Sequence, residues 1–379
     1  MNLNLGDQSS SLHQIETYCR LCPTTGAVPH EIKEVKLNDG SMRSVLDLSI
    51  PLNADSGLIY NYSDQDNCIS FEFNAVYGPD ATQEDIFEGI CAGKVREVLN
   101  GINATIFAYG QTGSGKTYSM FCGDTFENRG IVPRCLTQLF KELAMSDNAK
   151  VQISFTEVFN EQVYDLLDAE KKSTPKDKWQ PVQLLDTGDG GILLKGLNVY
   201  EVPEEEDALS LFFMGYTNRA SCSTHMNAHS SRSHAIFSIS LETQAKQDGL
   251  MITSYSKLNL VDLAGSERVF KAEKSEELRT QGRRINLSLH HLEHTIVTLR
   301  DKNVRQAKRQ KATSGQDLND SALSSNSRSK LSPIAGSGDK GGDAAAKDHI
   351  PYRNSVLTWL LRDSLGGQLS KRILGDLFA

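Results

Sequence analysis

Apolar and polar positions alternate with two rhythms along the chain, and the two rhythms follow one another in order. Period-two alternation marks Ser44-Val45-Leu46-Asp47-Leu48-Ser49-Ile50, Val151 to Tyr164, Ala235 to Leu241 and Lys257 to Val261. Each such run predicts a strand with one face buried. Ile15 to Arg20 reads as a further strand turned out by Pro23, and residues 24 to 70 as small meandering strands near a sheet edge. Thr105-Ile106-Phe107-Ala108-Tyr109 is a short apolar, β-branched and aromatic run, which suits a buried strand. Between these lie helical stretches. Thr82 with Asp85 makes a capping-box start, Ile86, Ile90, Val95 and Val98 hold one face, and Gly101 supplies the stop. Ile131 to Leu143 is amphipathic, and Pro203 to Gly215 opens with Glu204, Glu205 and Glu206, the charge a helix N-terminus favours. Ile285, Leu289, Leu292, Ile296 and Leu299 recur at spacings of 4, 3, 4 and 3, one face of a firm helix. Order runs helically again from His349 through Leu365, with Ile373 to Phe378 as a last strand. Strand and helix in alternation predict an α/β architecture, a central sheet flanked by helices on both faces.

Two segments fall outside both rhythms. Residues 1–13 are polar and predict a flexible start. Residues 302–347 are rich in Ser, Gly, Asp and Ala and predict a disordered low-complexity insert. The insert opens on a basic run, Lys302, Arg305, Lys308, Arg309 and Lys311.

Length and charge narrow the class. With 379 residues the chain can bury one large α/β core, and no apolar run approaches a membrane span, so the expectation is a cytoplasmic protein with no membrane partner. A formal net charge of −8 argues against nucleic acid as a general partner, so any acidic partner must meet a local basic face. Seven scattered cysteines suit reduced thiols, and the pair Cys19 and Cys22 has no second pair at zinc-ribbon spacing.

The chemistry-bearing stretch is Gly110-Gln111-Thr112-Gly113-Ser114-Gly115-Lys116-Thr117, placed directly after the apolar strand. It matches the G-x-x-x-x-G-K-[ST] phosphate loop: glycines let backbone N–H groups converge on phosphates, the lysine reaches the outer phosphates and the threonine hydroxyl takes a place on Mg²⁺. Two further polar motifs are each pinned to a strand. Asn227-Ala228-His229-Ser230-Ser231-Arg232-Ser233-His234 precedes the strand at 235, and Asp262-Leu263-Ala264-Gly265-Ser266-Glu267 ends the strand at 261. A carboxylate leaving a buried strand beside a phosphate loop can hold Mg²⁺ through water.

These three motifs, in this order, resemble those of the kinesin motor domain, a P-loop NTPase. Tyr118-Ser119-Met120 after the loop, His349-Ile350-Pro351-Tyr352-Arg353 and Asp363-Ser364-Leu365-Gly366-Gly367 also stand as that family writes them. The resemblance covers residues 14–378 apart from the insert. Asn286-Leu287-Ser288-Leu289-His290-His291-Leu292-Glu293 and Glu206 to Phe212 are similar to the ninth kinesin family, associated with cilia and flagella. The resemblance implies a microtubule-stimulated ATPase and microtubule-based movement, with ATP and Mg²⁺ as cofactors and tubulin as partner. It implies that Gly110 to Thr117 hold the phosphates and that Arg20, Pro23 and Tyr118 flank the adenine. Thr117 and Ser231 would bind Mg²⁺ directly, and Asp262 through water. Ser230 and the Gly265 N–H would sense the γ-phosphate, and an Arg232–Glu267 ion pair would close the site and orient the attacking water. Asn286, Lys302, Arg305, Lys308, Arg309, Lys311, Tyr352 and Arg353 would face the microtubule, located in the cytoplasm and cytoskeleton.

Departures from the family pattern matter. Cys22 stands where the family has a second arginine, Ala272-Glu273 where it has Thr-Gly, and Asn354-Ser355-Val356-Leu357-Thr358-Trp359 where it has Asp-Ser-Lys-Leu-Thr-Arg. No final helix, neck linker, coiled coil or tail follows Phe378, so the expectation is a fragment that hydrolyses ATP without moving. The alternative is a microtubule-binding fragment with impaired turnover. Two other readings compete: a zinc site on His290-His291-Leu292-Glu293-His294, which spells H-x-x-E-H, and GTP in place of ATP.

Overall fold

The computed structural model describes residues 15–23, 29–37, 40–49, 68–121, 125–144, 149–168, 178–188, 191–221, 229–247, 250–267, 276–313, 349–366 and 369–377. The expectations for residues 1–13, for Ala272-Glu273 and for 314–347 therefore lie outside the described residues. In chain order the elements begin with β1 (Glu16–Leu21), β2 (His30–Lys36), β3 (Met42–Ser49), β4 (Cys68–Phe73) and β5 (Ala75–Tyr77). Helix α1 (Gln83–Ile86) passes through a π turn (Phe87–Cys91) into α2 (Ala92–Leu99). Then come β6 (Asn103–Tyr109), α3 (Lys116–Met120), α4 (Ile131–Leu143), β7 (Ala149–Phe159) and β8 (Gln162–Asp165). The hairpin β9 (Gln183–Asp186) and β10 (Ile192–Lys195) precedes β11 (Tyr200–Glu201) and α5 (Glu205–Ser221). A 3₁₀ turn (His229–Arg232) leads into β12 (His234–Gln247) and β13 (Leu250–Asp262). The chain continues with α6 (Glu276–Thr313), a 3₁₀ turn (Tyr352–Asn354), α7 (Val356–Leu360), α8 (Arg362–Gly366) and β14 (Leu369–Leu377).

The main sheet runs β11-β7-β12-β13-β6-β14-β1-β5, with β8 paired to β7. Strands from β13 to β5 are mutually parallel, and β12, β7 and β11 continue antiparallel. The parallel half must be covered on both faces, because its crossovers are helical. Side chains of β6 show this directly: Ala104, Ile106 and Ala108 join one core with α1, α2, α4 and α5, while Phe107 joins the other with α6, α7 and α8. The short strands β2, β3 and β4 form a separate antiparallel sheet, the small meander expected at the edge.

Local signals account for the helix starts. Thr82 Oγ1 accepts from the Asp85 N–H at 3.1 Å and the Asp85 carboxylate accepts from the Thr82 N–H at 2.8 Å, a full capping box. Two expectations need correction. The strand predicted over 151–164 is a hairpin, turned at Asn160 and Glu161 with φ of 55° and 60°, the backbone a two-residue type I′ turn requires. The disorder expected from Lys302 is helix as far as Thr313. Arg305-Gln306-Ala307-Lys308-Arg309-Gln310-Lys311-Ala312 contains only good helix formers and the next glycine is Gly315, so a shortage of apolar residues does not stop α6 there.

Candidate nucleotide site and track face

The phosphate loop lies at the carboxyl end of β6, where ligands of open α/β sheets collect. Gly113 and Gly115 take φ of 84° and 105°, left-handed backbone that glycine adopts without strain. Lys116 is buried, and its ammonium donates to the Gln111 carbonyl at 2.8 Å across the loop. Strand β13 lies parallel beside β6 in the register Asp262↔Ala108, which carries the third motif to the loop. The Ser266 N–H then donates to the Gly110 carbonyl at 3.1 Å.

Asp262 is 1% exposed and its carboxylate is contested. The Thr117 hydroxyl donates to Oδ2 at 2.7 Å, and the Arg219 guanidinium donates to the same oxygen at 2.6 Å. Arg219 also donates to the Ser233 carbonyl at 3.2 Å and lies 5.6 Å from the Phe121 ring centre. Sequence reading missed it. The signal was present: Ala208, Phe212, Gly215 and Arg219 share one stripe of α5, so the arginine stands on the face turned inward.

The third motif touches the other two. The Gly265 N–H donates to the Ser231 carbonyl at 2.9 Å. Glu267 accepts from the Thr112 N–H at 2.8 Å and, through its other oxygen, from the Thr112 hydroxyl. Burial raises the Glu267 carboxyl, but the Thr112 bonds and the Lys116 charge outweigh it and hold the group below the usual glutamate range. A Cβ on Gly265 would overlap Thr112 Oγ1 and the Glu267 carboxylate, so a larger residue there must push this contact apart. Among the described residues no ion pair joins Arg232 to Glu267, and both oxygens of Glu267 go to Thr112. The Ser230 side chain lies outside the described residues.

His234 closes the arrangement from beneath. Its Nδ1 accepts the Ala264 N–H at 3.0 Å and its Nε2 meets Ser288 Oγ on α6 at 2.9 Å. Burial, with the charges of Arg219 and Lys116 nearby, pushes its pKa down to about 3.

The base side is built from β1 and α3. The Arg20 guanidinium lies 5.4 Å from the Tyr118 ring centre and donates to Gln83 Oε1 at 2.8 Å and Ser119 Oγ at 2.9 Å. Gln83, also missed from sequence, donates to the Tyr118 carbonyl at 2.8 Å. Pro23 is exposed at the end of β1, and Cys22 beside it is a half-buried free thiol.

A helical face lies across the sheet from this core. Asn286 lines a cavity of about 520 Å³ with Tyr109, Ser266 and Leu289. Helix α6 packs against α7 and the 352–354 turn, bringing Asn286, Tyr352 and Arg353 to neighbouring elements. Arg353 is exposed, ion-paired to Asp186 of β9 and 5.8 Å from the Trp359 ring centre. Lys302 is half-buried and Arg305 exposed on the last turns of α6; the side chains of Lys308, Arg309 and Lys311 lie outside the described residues. Among the described residues no cluster of three His, Cys, Asp or Glu could hold a metal, so His290 and His294 gain no further ligand for zinc.

A family profile described as the kinesin motor domain matches residues 40–376. The chain belongs to the kinesin motor-domain family. Over 370 residues it is 32% identical to the kinesin-like protein KIF9 of Mus musculus, across 96% of this chain and 40% of that protein. The KIF9 of Homo sapiens is 32% identical over 368 residues with the same shares. The chain thus spans about two fifths of the length of these curated relatives. A solved fast kinesin, described with implications for ATPase mechanism and interactions with microtubules, superposes with a TM-score of 0.67 at 27% identity, covering 98% of this chain and 87% of that one. The chain thereby shares the P-loop NTPase fold of the kinesin motor domain. No helix among the described residues is long and apolar enough to cross a membrane.

The residues of this kinesin chain fit a divalent cation. Asp262 Oδ1 is buried without a hydrogen-bond partner among the described residues, beside the Thr117 hydroxyl, and an orphaned anionic oxygen next to a hydroxyl suits Mg²⁺. Val356 and Trp359, where other kinesins carry basic residues, are half-buried, and Val356 packs on the core shared with α6.

Proposed function

We propose that this chain binds ATP with Mg²⁺ and hydrolyses it to ADP and phosphate, faster on microtubules, as the engine of movement along them. The observation that carries this reading is the meeting of all three motifs at the carboxyl ends of β6 and β13, Thr117 on Asp262, Gly265 on Ser231 and Thr112 on Glu267. Lys116 and the amides from Gly113 to Thr117 hold the phosphates, and Arg20 and Tyr118 clasp the base with Pro23 at its edge. Thr117 and Ser231 would hold Mg²⁺ directly and Asp262 through water, and the ion would supply positive charge to the phosphate oxygens.

Turnover then requires two exchanges of partner. A γ-phosphate takes the Gly265 N–H from the Ser231 carbonyl, with the Ser230 hydroxyl as a second donor. Glu267 leaves Thr112 for Arg232, and the pair orients the attacking water and receives its proton. Thr112 holding Glu267 therefore corresponds to a site not yet closed, and closure assembles the catalytic contact only when the nucleotide is seated. Asn286, Tyr352 and Arg353, with the basic run from Lys302 through Arg305, Lys308 and Arg309 to Lys311, form the face for acidic tubulin, weakened by salt. The resemblance of Asn286 to Glu293 and of Glu206 to Phe212 to the ninth kinesin family extends the proposal to the microtubules of a cilium or flagellum, testable by imaging a tagged chain.

The test is ATP turnover by the purified chain with and without microtubules at low salt, beside Glu267→Ala. Stimulated turnover that disappears in the variant is expected, with GTP competing poorly. Microtubule binding without stimulated turnover would replace this reading with an ATPase-impaired tether.

A further inference from the structure

We propose that His234 and Ser288 form a hydrogen-bonded strut that carries the state of the nucleotide site to helix α6, making Ser288 a positioning residue for track-stimulated turnover. This rests on the ATPase reading above. The strut is a chain with one direction. Because Nδ1 of His234 accepts the Ala264 N–H, the neutral ring carries its proton on Nε2 and donates it to Ser288 Oγ. Ser288 Oγ donates in turn to the Ile285 carbonyl at 2.7 Å. His234 and Ser288 are each 2% exposed and Ala264 is fully buried, so water offers no substitute partner.

The position of the upper end matters most. Ala264 and Gly265 are consecutive, and their two N–H groups are held by one stretch of chain, Ala264 by the His234 ring and Gly265 by the Ser231 carbonyl. Any ligand that draws Gly265 N–H off Ser231 also moves Ala264, one peptide away. The imidazole is rigid and its far nitrogen is fixed on α6, so the segment shifts with the helix or a buried bond is lost. A simple packing role would not need this link. Thr295 and Thr298 on the same helix satisfy their hydroxyls within α6, on the His291 and His294 carbonyls at 2.8 and 2.7 Å. Ser288 bonds within the helix as well, yet its oxygen also receives the ring that holds the Asp262 to Glu267 segment at Ala264.

The experiment compares the full chain with Ser288→Ala, Ser288→Thr and Thr295→Val. Two quantities are read: the ratio of microtubule-stimulated to basal turnover, and hydrogen exchange of the 260–267 segment without nucleotide. Ser288→Ala is expected to lower the ratio about fivefold and to quicken Ala264 exchange about fivefold, the effect of one net hydrogen bond. Ser288→Thr restores both, and Thr295→Val, which removes a buried hydroxyl outside the strut, changes neither. Unchanged Ala264 exchange overturns the strut. Quickened exchange with a retained ratio also overturns it, since the bond would then carry nothing. A wild-type chain without turnover sinks the earlier reading instead, and Ala264 exchange alone then decides whether the strut holds the segment.

Discussion

Replacing Arg219 by methionine tests the centre of the site through stability. The arginine is 2% exposed, its partner Asp262 is 1% exposed, and they meet at 2.6 Å. Methionine fills much of the same volume on the apolar stripe of α5 but leaves the carboxylate buried without its cation. Removing one partner of such a pair costs about 3–5 kcal/mol, whereas removing both charges together is close to neutral. Arg219→Met should therefore lower unfolding free energy by that amount in urea at neutral pH without nucleotide, and Arg219→Met with Asp262→Asn should recover most of it. The cycle of four proteins isolates the coupling. Adding Mg·ADP should rescue the single variant more than the wild type, because the cation offers Asp262 a second positive partner. A single variant within about 0.5 kcal/mol of wild type, or a double variant no better than the single, would refute the reasoning, since neither fits a desolvated charge pair.

The His234 ring gives a pH dependence of definite sign. Its folded pKa is depressed to about 3, so its contribution is present above the unfolded value of about 6.5 and is lost as pH falls; by pH 5 the wild type should lose about 2 kcal/mol relative to a His234→Gln chain, measured by urea unfolding at both pH values. Gly265→Ala introduces a Cβ into the Thr112–Glu267 contact and should cut turnover on the order of a hundredfold, as when a reaction-centre donor is displaced; wild-type kcat in that variant would remove Gly265 from the site. Chelating Mg²⁺ should weaken fluorescent ADP binding to the wild type, and Asp262→Asn should show a smaller change on chelation; equal changes would place the cation elsewhere.

Much of the site is legible in the chain because its chemistry needs contiguous residues. Backbone amides, Lys116 and Thr117 must fall within one loop to meet one phosphate group, and the strand before the loop announces itself as a short apolar, β-branched and aromatic run. Amphipathic α4 is equally plain, its predicted bounds Ile131 and Leu143 being those observed. Where composition stood in for local propensity, at 302–313, the reading failed, since a solvated helix needs good helix formers and no apolar face.

The pairings are another matter. Arg219 and Asp262 are 43 residues apart, His234 and Ser288 are 54, and Thr112 and Glu267 are 155. No periodicity links such positions. The sequence by itself determined which groups carry the chemistry, which elements hold them and that β13 ends on a carboxylate. The tertiary structure decided the partners, because the parallel register of β13 beside β6 sets which loops meet, and a buried ionised group then takes the best donor within reach. Glu267 accordingly rests on Thr112 and not on Arg232, and the Asp262 oxygen is shared between a hydroxyl and an arginine that the motifs do not mention.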